Sequence, residues 1–429
     1  PLQTARDVPA RHGIPRHPRT AGRRCRFDCG RRRIAARRAC YPLAVRWLTV
    51  SPCRAAGARG RDERAAAATG ILLAALLASP LAAVAIAQEP AAKPAEPASP
   101  AAAPGLVDRL RQERPGMQRA DSSGSLIQVN LSGLPISDED LAELTGMTTV
   151  TTLLLGDTDI SDEDLQRVAG MHQLETLGLR GTAITDAGVA HLTALTGLHE
   201  LFLAETRITD GALAALAGLA SLENLGLRGT AVSDAGLEHV SSLPKLKHLM
   251  LADTRVGDDG LRHLRGLAAL ESLDLSRTAI SEAGIEQLAG CRAMRRLQLG
   301  GTGIGDAALP HIARFESLFY LDLSGTRVTD AGLASLAGLG GLEFLLLSDT
   351  AVTDAGLRHV ARLGALKWLR LEGTAVTDRG LLALVPCTAL QSVVAGETAV
   401  TEAGVDALRR ALPRVRVGLG PRNDVAPEP

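Results

Sequence analysis

Aromatic side chains are scarce in this chain. Its 429 residues include two Trp, two Tyr and five Phe, or 2% of the sequence. Because so few rings are present, an aromatic residue at a surface position is more informative about binding here than in an average protein. The length alone would allow two or three domains.

Catalytic motifs are also missing. The sequence contains no G-x-S-x-G, no Walker phosphate loop, no H-E-x-x-H and no G-x-G-x-x-G in a strand-to-helix setting. These absences remove the common signatures of serine hydrolases, nucleotide-binding proteins and zinc proteases. We therefore predict that the chain is not an enzyme, and we assign no catalytic residue, metal site or cofactor.

Cysteine is uncommon and gives no sign of a disulfide framework. Four of the six Cys residues fall in the first 64 residues, and Cys291 and Cys387 occupy a position otherwise filled by Leu, Met, Phe or Ala. We expect these two to be small buried hydrophobic residues. A zinc site at Cys25 and Cys29 stays open as an alternative, although no well-placed His follows them.

The zero formal net charge conceals two regions of opposite sign. Residues 1–64 contain 17 Arg, no Lys and four acidic residues, or about +13, so the other 365 residues carry about −13. An acidic second region favours a protein partner with a basic patch and disfavours nucleic acid, whose phosphates it would repel.

An export signal is predicted near the N-terminus. Arg61 to Arg64 precede the small and apolar run 65–87, which ends in a small-x-small site. This pattern is typical of a cleaved signal peptide, with cleavage after Ala87, and an uncleaved membrane anchor is the alternative. We expect residues 1–64 to be disordered or not translated, with an organelle transit peptide as the rival interpretation, and 88–104 to be a Pro/Ala linker. The expected location is secreted, periplasmic or the cell envelope.

Twelve in-phase repeats of 24 residues fill positions 126–413. Their template is L-x-x-L-x-L-x-x-T-x-[IV]-[ST]-D-x-G-L-x-x-L-x-x-L-x-x. The L-x-L step has period two and predicts a short strand, while the later leucines spaced by three predict a helix or 3₁₀ turn on the opposite side. Residues 105–125 are predicted to form an N-terminal cap, with a short helix over 105–120. Residues 414–429 should add a last strand and a polar tail.

Two polar positions of the template have predicted structural roles. Thr at position nine should give hydrogen bonds to the backbone where it leaves the strand. The Ser or Thr at position twelve should cap the helix, and the following Asp should place an anion beside its N-terminus. Representatives are Thr182, Thr230, Thr326, Thr350, Asp186, Asp234, Asp330 and Asp354.

This pattern resembles the leucine-rich-repeat superfamily over roughly residues 105–420. The T-x-[IV]-[ST]-D-x-G-L stretch is similar to repeats of exported bacterial proteins and to those of F-box/leucine-rich-repeat ubiquitin-ligase receptors, although this chain has Thr where the receptors have Cys. The resemblance implies an α/β solenoid, a horseshoe with a parallel concave β-sheet and convex helices or 3₁₀ turns, that binds a partner. It carries over no ligand.

Positions three, five and seven of each repeat should point out of the concave sheet, where the template leaves the residue type free. Tyr320, Phe344 and Trp368 occupy position three of successive repeats, so their rings should form a ladder. We predict that they form a binding hot spot together with neighbouring residues, and a purely structural stack is the alternative. These neighbours are Arg296, Phe319, Asp322, Leu346, Arg370 and Glu372.

A second cluster contains Phe202 and Met250 with Leu154. Acidic residues at position eight, namely Asp157, Glu205, Asp253, Asp349 and Glu397, should line one edge of the sheet and favour a basic partner. Five His residues share position 18, among them His239 and His263 in adjacent repeats, and we expect them to be solvated; surface metal binding is a weaker alternative.

The sequence therefore predicts an exported, non-enzymatic scaffold that binds a protein through its concave face. One alternative is binding of envelope polysaccharide by the aromatic ladder. Another is a ubiquitin-ligase substrate receptor, which requires the export signal to be false. A membrane contact is expected only through an uncleaved anchor, and no oligomeric state is predicted.

Overall fold

The computed structural model describes residues 105–106 and 118–420. Within these residues one 14-stranded sheet contains the strands in chain order. The first strand is antiparallel to the second, and every later pair is parallel. The strands are β1 Gln118–Ala120, β2 Leu126–Asn130, β3 Thr152–Leu154, β4 Thr176–Gly178, β5 Glu200–Phe202, β6 Asn224–Gly226, β7 His248–Met250, β8 Ser272–Asp274, β9 Arg296–Gln298, β10 Tyr320–Asp322, β11 Phe344–Leu346, β12 Trp368–Arg370, β13 Ser392–Val394 and β14 Arg416–Gly418.

Short helices follow the strands on the other side of the chain's core. They start at the Asp or Glu of template position thirteen in most repeats, and several continue into 3₁₀ turns. The α-helices are Asp138–Thr145, Asp162–Val168, Asp186–His191, Asp210–Leu216, Asp234–Val240, Asp258–Leu261, Glu282–Gln287, Leu309–Ile312, Asp330–Leu333, Asp354–Val360, Asp378–Ala383 and Glu402–Ala411. The 3₁₀ helices are Leu192–Ala194, Arg262–Gly266, Leu288–Gly290, Asp306–Ala308 and Ala334–Gly338. The predicted α/β solenoid is therefore confirmed.

The template leucines form one continuous core between the strands and the helices. Most of them are fully buried, and the core runs from Val129 in the first repeat to Leu408 in the last. No single repeat could bury these side chains alone, so stacking of neighbours creates the core. At the C-terminal end, the predicted last strand is β14. At the N-terminal end, residues 118–120 form strand β1 where a helix was predicted, because their backbone pairs with the edge of β2.

The Thr at position nine closes the bend inside its own repeat. In each of the eleven repeats the hydroxyl donates to the carbonyl three residues earlier, for example Thr182 to Leu179 at 2.7 Å and Thr326 to Leu323 at 2.6 Å. Thr230 and Thr350 make the same bond to Leu227 and Leu347. A carbonyl that leaves the sheet in the buried bend thereby gains a partner.

The Asp at position thirteen links its repeat to the next one. Asp330 Oδ1 accepts from the backbone N–H of Thr353 at 2.8 Å, and Asp330 Oδ2 accepts from the Thr353 hydroxyl at 2.6 Å. Thr353 in turn caps its own helix by accepting from the Ala355 N–H at 3.2 Å. The same Asp bridge is made by Asp186 and Asp354, while Asp234 bonds the Gly257 N–H alone. The sequence predicted the cap but not this bridge between repeats.

A glycine two positions after the Asp makes room for that bridge. A Cβ at Gly356 would overlap Asp330 Oδ1, and a Cβ at Gly380 would overlap Asp354 Oδ1. In the fourth repeat the order is reversed to Gly211-Ala212, and there a Cβ at Gly211 would lie 2.8 Å from Asp186 Oδ2. Each arrangement keeps one glycine under the carboxylate of the preceding repeat.

Several predictions concern residues outside the described part of the chain. They include the leader 1–64, the apolar run 65–87, the linker 88–104, residues 107–117 of the predicted N-terminal helix and the polar tail beyond residue 420. Among the described residues, no helix is long and apolar enough to cross a membrane.

Candidate binding surface on the sheet

The in-register parallel sheet brings the same template position of successive repeats side by side. Tyr320 on β10 pairs with Arg296 on β9 and with Phe344 on β11, which in turn pairs with Trp368 on β12. Adjacent strands lie about 4.8 Å apart, which is within the range of ring contact. The repeat period therefore places four large side chains in one row across the sheet.

Three of these side chains form the aromatic ladder of Tyr320, Phe344 and Trp368. The ring centroids of Tyr320 and Phe344 are 5.9 Å apart with an interplanar angle of 31°. Those of Phe344 and Trp368 are 6.2 Å apart at 30°. Phe319, which precedes Tyr320, meets Phe344 edge-on with centroids 6.1 Å apart. These distances lie within the 4.5–7 Å range typical of attractive ring pairs.

The ladder is less exposed than the sequence predicted. Tyr320 is 1% exposed, whereas Phe344 and Trp368 are half-buried. Tyr320 is covered because the Arg296 guanidinium lies 4.2 Å from its ring centroid on one side and Phe344 packs on the other. Tyr320 thus supports the ladder, and Phe344 and Trp368 present the accessible rings.

Arginines mark the upstream end of the ladder. The Arg295 and Arg296 guanidinium carbons lie 5.6 Å and 5.7 Å from the Phe319 centroid. Contacts of this length between a cation and a ring are attractive. The sequence also placed Arg296 and Phe319 around the ladder, but the contact of Arg295 with Phe319 was not predicted.

The neighbours at positions five and seven differ in exposure. Asp322 and Arg370 are half-buried, and Asp322 accepts from the Ser324 N–H at 2.8 Å. Leu346 is 6% exposed and Glu372 is 1% exposed, so the prediction that both are accessible was wrong. The Glu372 carboxylate accepts from the Ser348 hydroxyl at 2.5 Å and pairs with Arg370 Nη2 at 2.9 Å. Glu372 is therefore not accessible to a ligand, and it influences the surface only by holding the Arg370 side chain in position.

The second predicted cluster is separated by glycines. Leu154, Phe202 and Met250 lie on alternate strands and are half-buried, with Gly178 and Gly226 between them. A Cβ at Gly178 would lie 2.9 Å from Leu154 Cδ2, and one at Gly226 would lie 3.1 Å from Phe202 Cδ1. The large side chains thus lean over the glycines, and they form an apolar strip with no charged residue at position five.

The acidic residues at position eight sit in strained turns and are partly neutralised. All five have positive φ, for example 57° at Glu205 and 58° at Asp253. Glu205 pairs with Arg180 at 3.0 Å, and Asp253 pairs with Arg277 at 2.6 Å and with Arg228 at 3.3 Å. The hydrogen bond from Arg277 is the main cause that lowers the pKa of Asp253. This edge of the sheet is consequently less acidic than its composition suggests.

Histidine and other metal-ligating side chains form no metal site in the described residues, where no group of three or more is arranged to hold an ion. His263 Nε2 accepts from Arg262 Nε at 3.2 Å. His248 on β7 is half-buried, and burial is the main cause that lowers its pKa.

Cys291 and Cys387 are buried between adjacent repeats. Their thiols lie 3.3 Å and 3.7 Å from the carbonyl oxygens of Leu264 and Val360. Burial raises the pKa of each thiol to about 11. Because the thiolate is the reactive form, both should be inert in the folded protein.

We expect iodoacetamide at pH 8 to label Cys291 and Cys387 at least about 100-fold more slowly in the native protein than in urea. Mass spectrometry of the two cysteine peptides over time would measure both rates. Equal rates in the two conditions would contradict the buried environment.

The repeated sequence, its in-register sheet and the accessible rings of Phe344 and Trp368 define a leucine-rich-repeat solenoid fold with a candidate binding face. A family model described as Leucine Rich repeat matches residues 316–337. An internalin from Listeria monocytogenes is 20% identical with a TM-score of 0.52, and the match covers 70% of this chain and 87% of that chain. A leucine-rich-repeat protein from Leptospira interrogans is 15% identical with a TM-score of 0.45, covering 73% and 98% of the respective chains. No curated protein matches.

Proposed function

We propose that this chain is an exported, non-enzymatic scaffold that binds a protein partner through the aromatic ladder on its sheet. The observation that carries the proposal is the pair Phe344 and Trp368. These two large rings are stacked, half-buried and fixed on adjacent strands of a rigid sheet. Rigid aromatic anchors surrounded by arginines are typical of the residues that dominate binding energy in protein interfaces.

Two further aspects of the partner follow from the charges. The residues after position 64 carry a net negative charge, which favours a partner that has a basic patch elsewhere on its surface. Glu205 and Asp253 already have arginine partners within the chain, so they contribute less to this attraction than their number implies. We accordingly propose that the acidic residues at position eight raise the rate at which the partner associates, and that the ladder provides most of the affinity.

Binding of polysaccharide is the less favoured candidate. A sugar ring stacks on an open aromatic face, but the rings here stack on each other and Arg296 covers Tyr320. The ubiquitin-ligase alternative requires that residues 61–87 are not an export signal, whereas their charged and then apolar pattern favours one. Protein binding is therefore preferred over both.

Capture of the partner tests the proposed site. We expect the Phe344→Ala/Trp368→Ala variant to lose the partner that the parent protein retains from an envelope extract of its native organism. Truncation of central interface anchors costs about 2 kcal/mol or more each, or roughly 30-fold in affinity. Quantitative mass spectrometry of the captured proteins would measure the loss.

The matched control is Leu382→Ala/Val385→Ala on the helix side. These two residues are 40% and 36% exposed, so the control also removes exposed apolar side chains. Capture of the same partner by the parent and both variants would place the binding surface elsewhere. Circular dichroism would verify that each variant is folded.

Export can be tested separately. Fractionation of producing cells should place the protein outside the cytoplasm, with an N-terminus that begins at Gln88 after removal of the run 65–87. A cytoplasmic protein that still contains this run would reject the export proposal and reopen the ubiquitin-ligase alternative.

A further inference from the structure

Arginine side chains flank the aromatic ladder at both of its ends. Arg296 begins β9 and Arg295 immediately precedes that strand, while Arg370 lies beside Trp368 on β12. Arg296 is in register with the three rings, whereas Arg370 lies two residues beyond Trp368 on the same strand, in the row that contains Asp322 and Leu346. The ladder is thus a short apolar surface with arginine side chains at each end.

The upstream cations are held by the rings themselves. The Arg296 guanidinium contacts two rings: it lies 4.2 Å from the Tyr320 centroid and 5.7 Å from the Phe319 centroid. Arg295 lies 5.6 Å from Phe319. A guanidinium stacked on an aromatic face keeps its planar donors directed sideways, where a carboxylate can meet them.

The downstream cation is held by a buried acid. Glu372 is 1% exposed, and burying a carboxylate is costly unless hydrogen bonds and a counter-charge compensate for the lost water. Ser348 supplies a hydrogen bond and Arg370 supplies the charge, while the Arg370 side chain keeps 27% of its surface exposed. This pairing fixes the guanidinium at the sheet surface beside Trp368.

The acidic residues close to the ladder are already engaged. Glu343 pairs with Lys367 at 2.7 Å, and Asp322 accepts the Ser324 N–H. Glu372 is buried behind Arg370. Apart from the Lys367–Glu343 pair, three arginines (Arg295, Arg296 and Arg370) stand against the two carboxylates of Asp322 and Glu372, so the surface along the ladder is more positive than the net charge of the repeats suggests.

The spacing of the cations sets the spacing of their ligands. Arg296 and Arg370 are three strand steps apart across the sheet, about 14 Å, and two residues apart along the strands, roughly 7 Å, so their backbones lie about 16 Å apart, and their long side chains can reach a ligand somewhat shorter than that. An extended peptide advances about 3.3 Å per residue, so four residues cover roughly 13 Å. In an extended chain, residues i, i+2 and i+4 point to the same side.

We propose that the ladder binds an extended peptide segment that has two acidic residues four positions apart and an apolar residue midway between them. The segment crosses the strands, with one carboxylate at Arg295 and Arg296, the apolar side chain on Phe344, and the second carboxylate at Arg370. This inference rests on the proposed function and specifies the chemistry of the partner at that site.

The test uses the full chain and two fluorescein-labelled peptides of equal charge. One contains Glu-Ser-Leu-Ser-Glu and the other Ser-Glu-Glu-Leu-Ser, each within the same flanking Gly-Ser residues. Equal charge matters because the Arg-rich residues 1–64 attract any acidic peptide. Fluorescence anisotropy would give the two dissociation constants and their ratio.

We expect the first peptide to bind at least about tenfold more tightly than the second. The variants Arg295→Gln/Arg296→Gln and Arg370→Gln/Glu372→Gln should each reduce this preference to within about twofold. The second variant removes the buried acid together with its partner, so no uncompensated charge remains. Arg228→Gln, an arginine that lies away from the ladder, should retain the full preference.

The outcomes separate this inference from the proposed function. Equal binding of the two peptides, or binding of neither, overturns the inference. If equal binding is lost in the Phe344→Ala/Trp368→Ala variant, the ladder remains the binding site and only the acidic spacing is wrong. If that variant also binds both peptides as the parent does, the proposed site fails together with the inference.

Discussion

Replacing Tyr320 with Ala is expected to lower the free energy of unfolding by about 3–5 kcal/mol, the range typical of large aromatic truncations in a core. Tyr320 is 1% exposed, and its ring contacts both Phe344 and the Arg296 guanidinium. Its loss would leave a cavity between adjacent repeats and remove a cation–ring contact. Urea unfolding followed by circular dichroism would measure the change.

Trp368→Ala is the appropriate comparison, because Trp368 stacks on Phe344 but is half-buried. We expect it to cost less than half as much stability while it affects binding more. A Tyr320→Ala variant as stable as the parent would show that the ring is not part of the core. Since Tyr320 is buried, a binding assay that truncates all three rings would confuse loss of fold with loss of contact.

Replacing Gly356 with Ala is expected to destabilise the protein by about 2–4 kcal/mol, although the same change in an exposed helix would stabilise it by about 1 kcal/mol. The sign reverses because the new methyl group would displace the Asp330 carboxylate from Thr353. Urea midpoints would show the loss, and hydrogen exchange at the Thr353 amide would locate it.

Two controls make this prediction specific. Gly338→Ala adds a methyl group where no atom lies within 4 Å, so stability should change by less than about 1 kcal/mol. The double variant Ala355→Gly/Gly356→Ala copies the Gly211-Ala212 order of the fourth repeat and should recover most of the stability. Destabilisation of equal size in the double variant would mean that space for Asp330 is not the cause.

The sequence predicted those features that depend on period. The 24-residue spacing determines which side chains lie side by side, so it predicts the row from Arg296 to Trp368. The repeat also predicts that Thr182 and the equivalent threonines form hydrogen bonds to the backbone at the bend after each strand. These features follow from the repeat alone, because in-register stacking repeats each local environment.

Features that depend on side-chain direction were not predictable from the template. Position three suggested exposure for Tyr320, but the length of the Arg296 side chain allows it to cover the ring. Position seven suggested an exposed Glu372, yet the carboxylate turns inward to Ser348. At the N-terminus, the apolar pattern of 105–120 predicted a helix, whereas the open edge of β2 recruits Gln118–Ala120 as a strand.

The Asp bridge also limits how the array can be shortened or recombined. The seventh repeat has Glu282 in place of Asp, and the eighth has Ala308 in place of the glycine, so their two exceptions meet at the same junction. Deleting residues 270–293 alone would place the Asp258 carboxylate opposite Ala308, where the glycine is missing. Deleting residues 294–317 alone would place the longer Glu282 side chain opposite Gly332. Deleting both restores an Asp opposite a glycine, which makes the pair of repeats, rather than one repeat, the cassette that can be removed here without a mismatched junction.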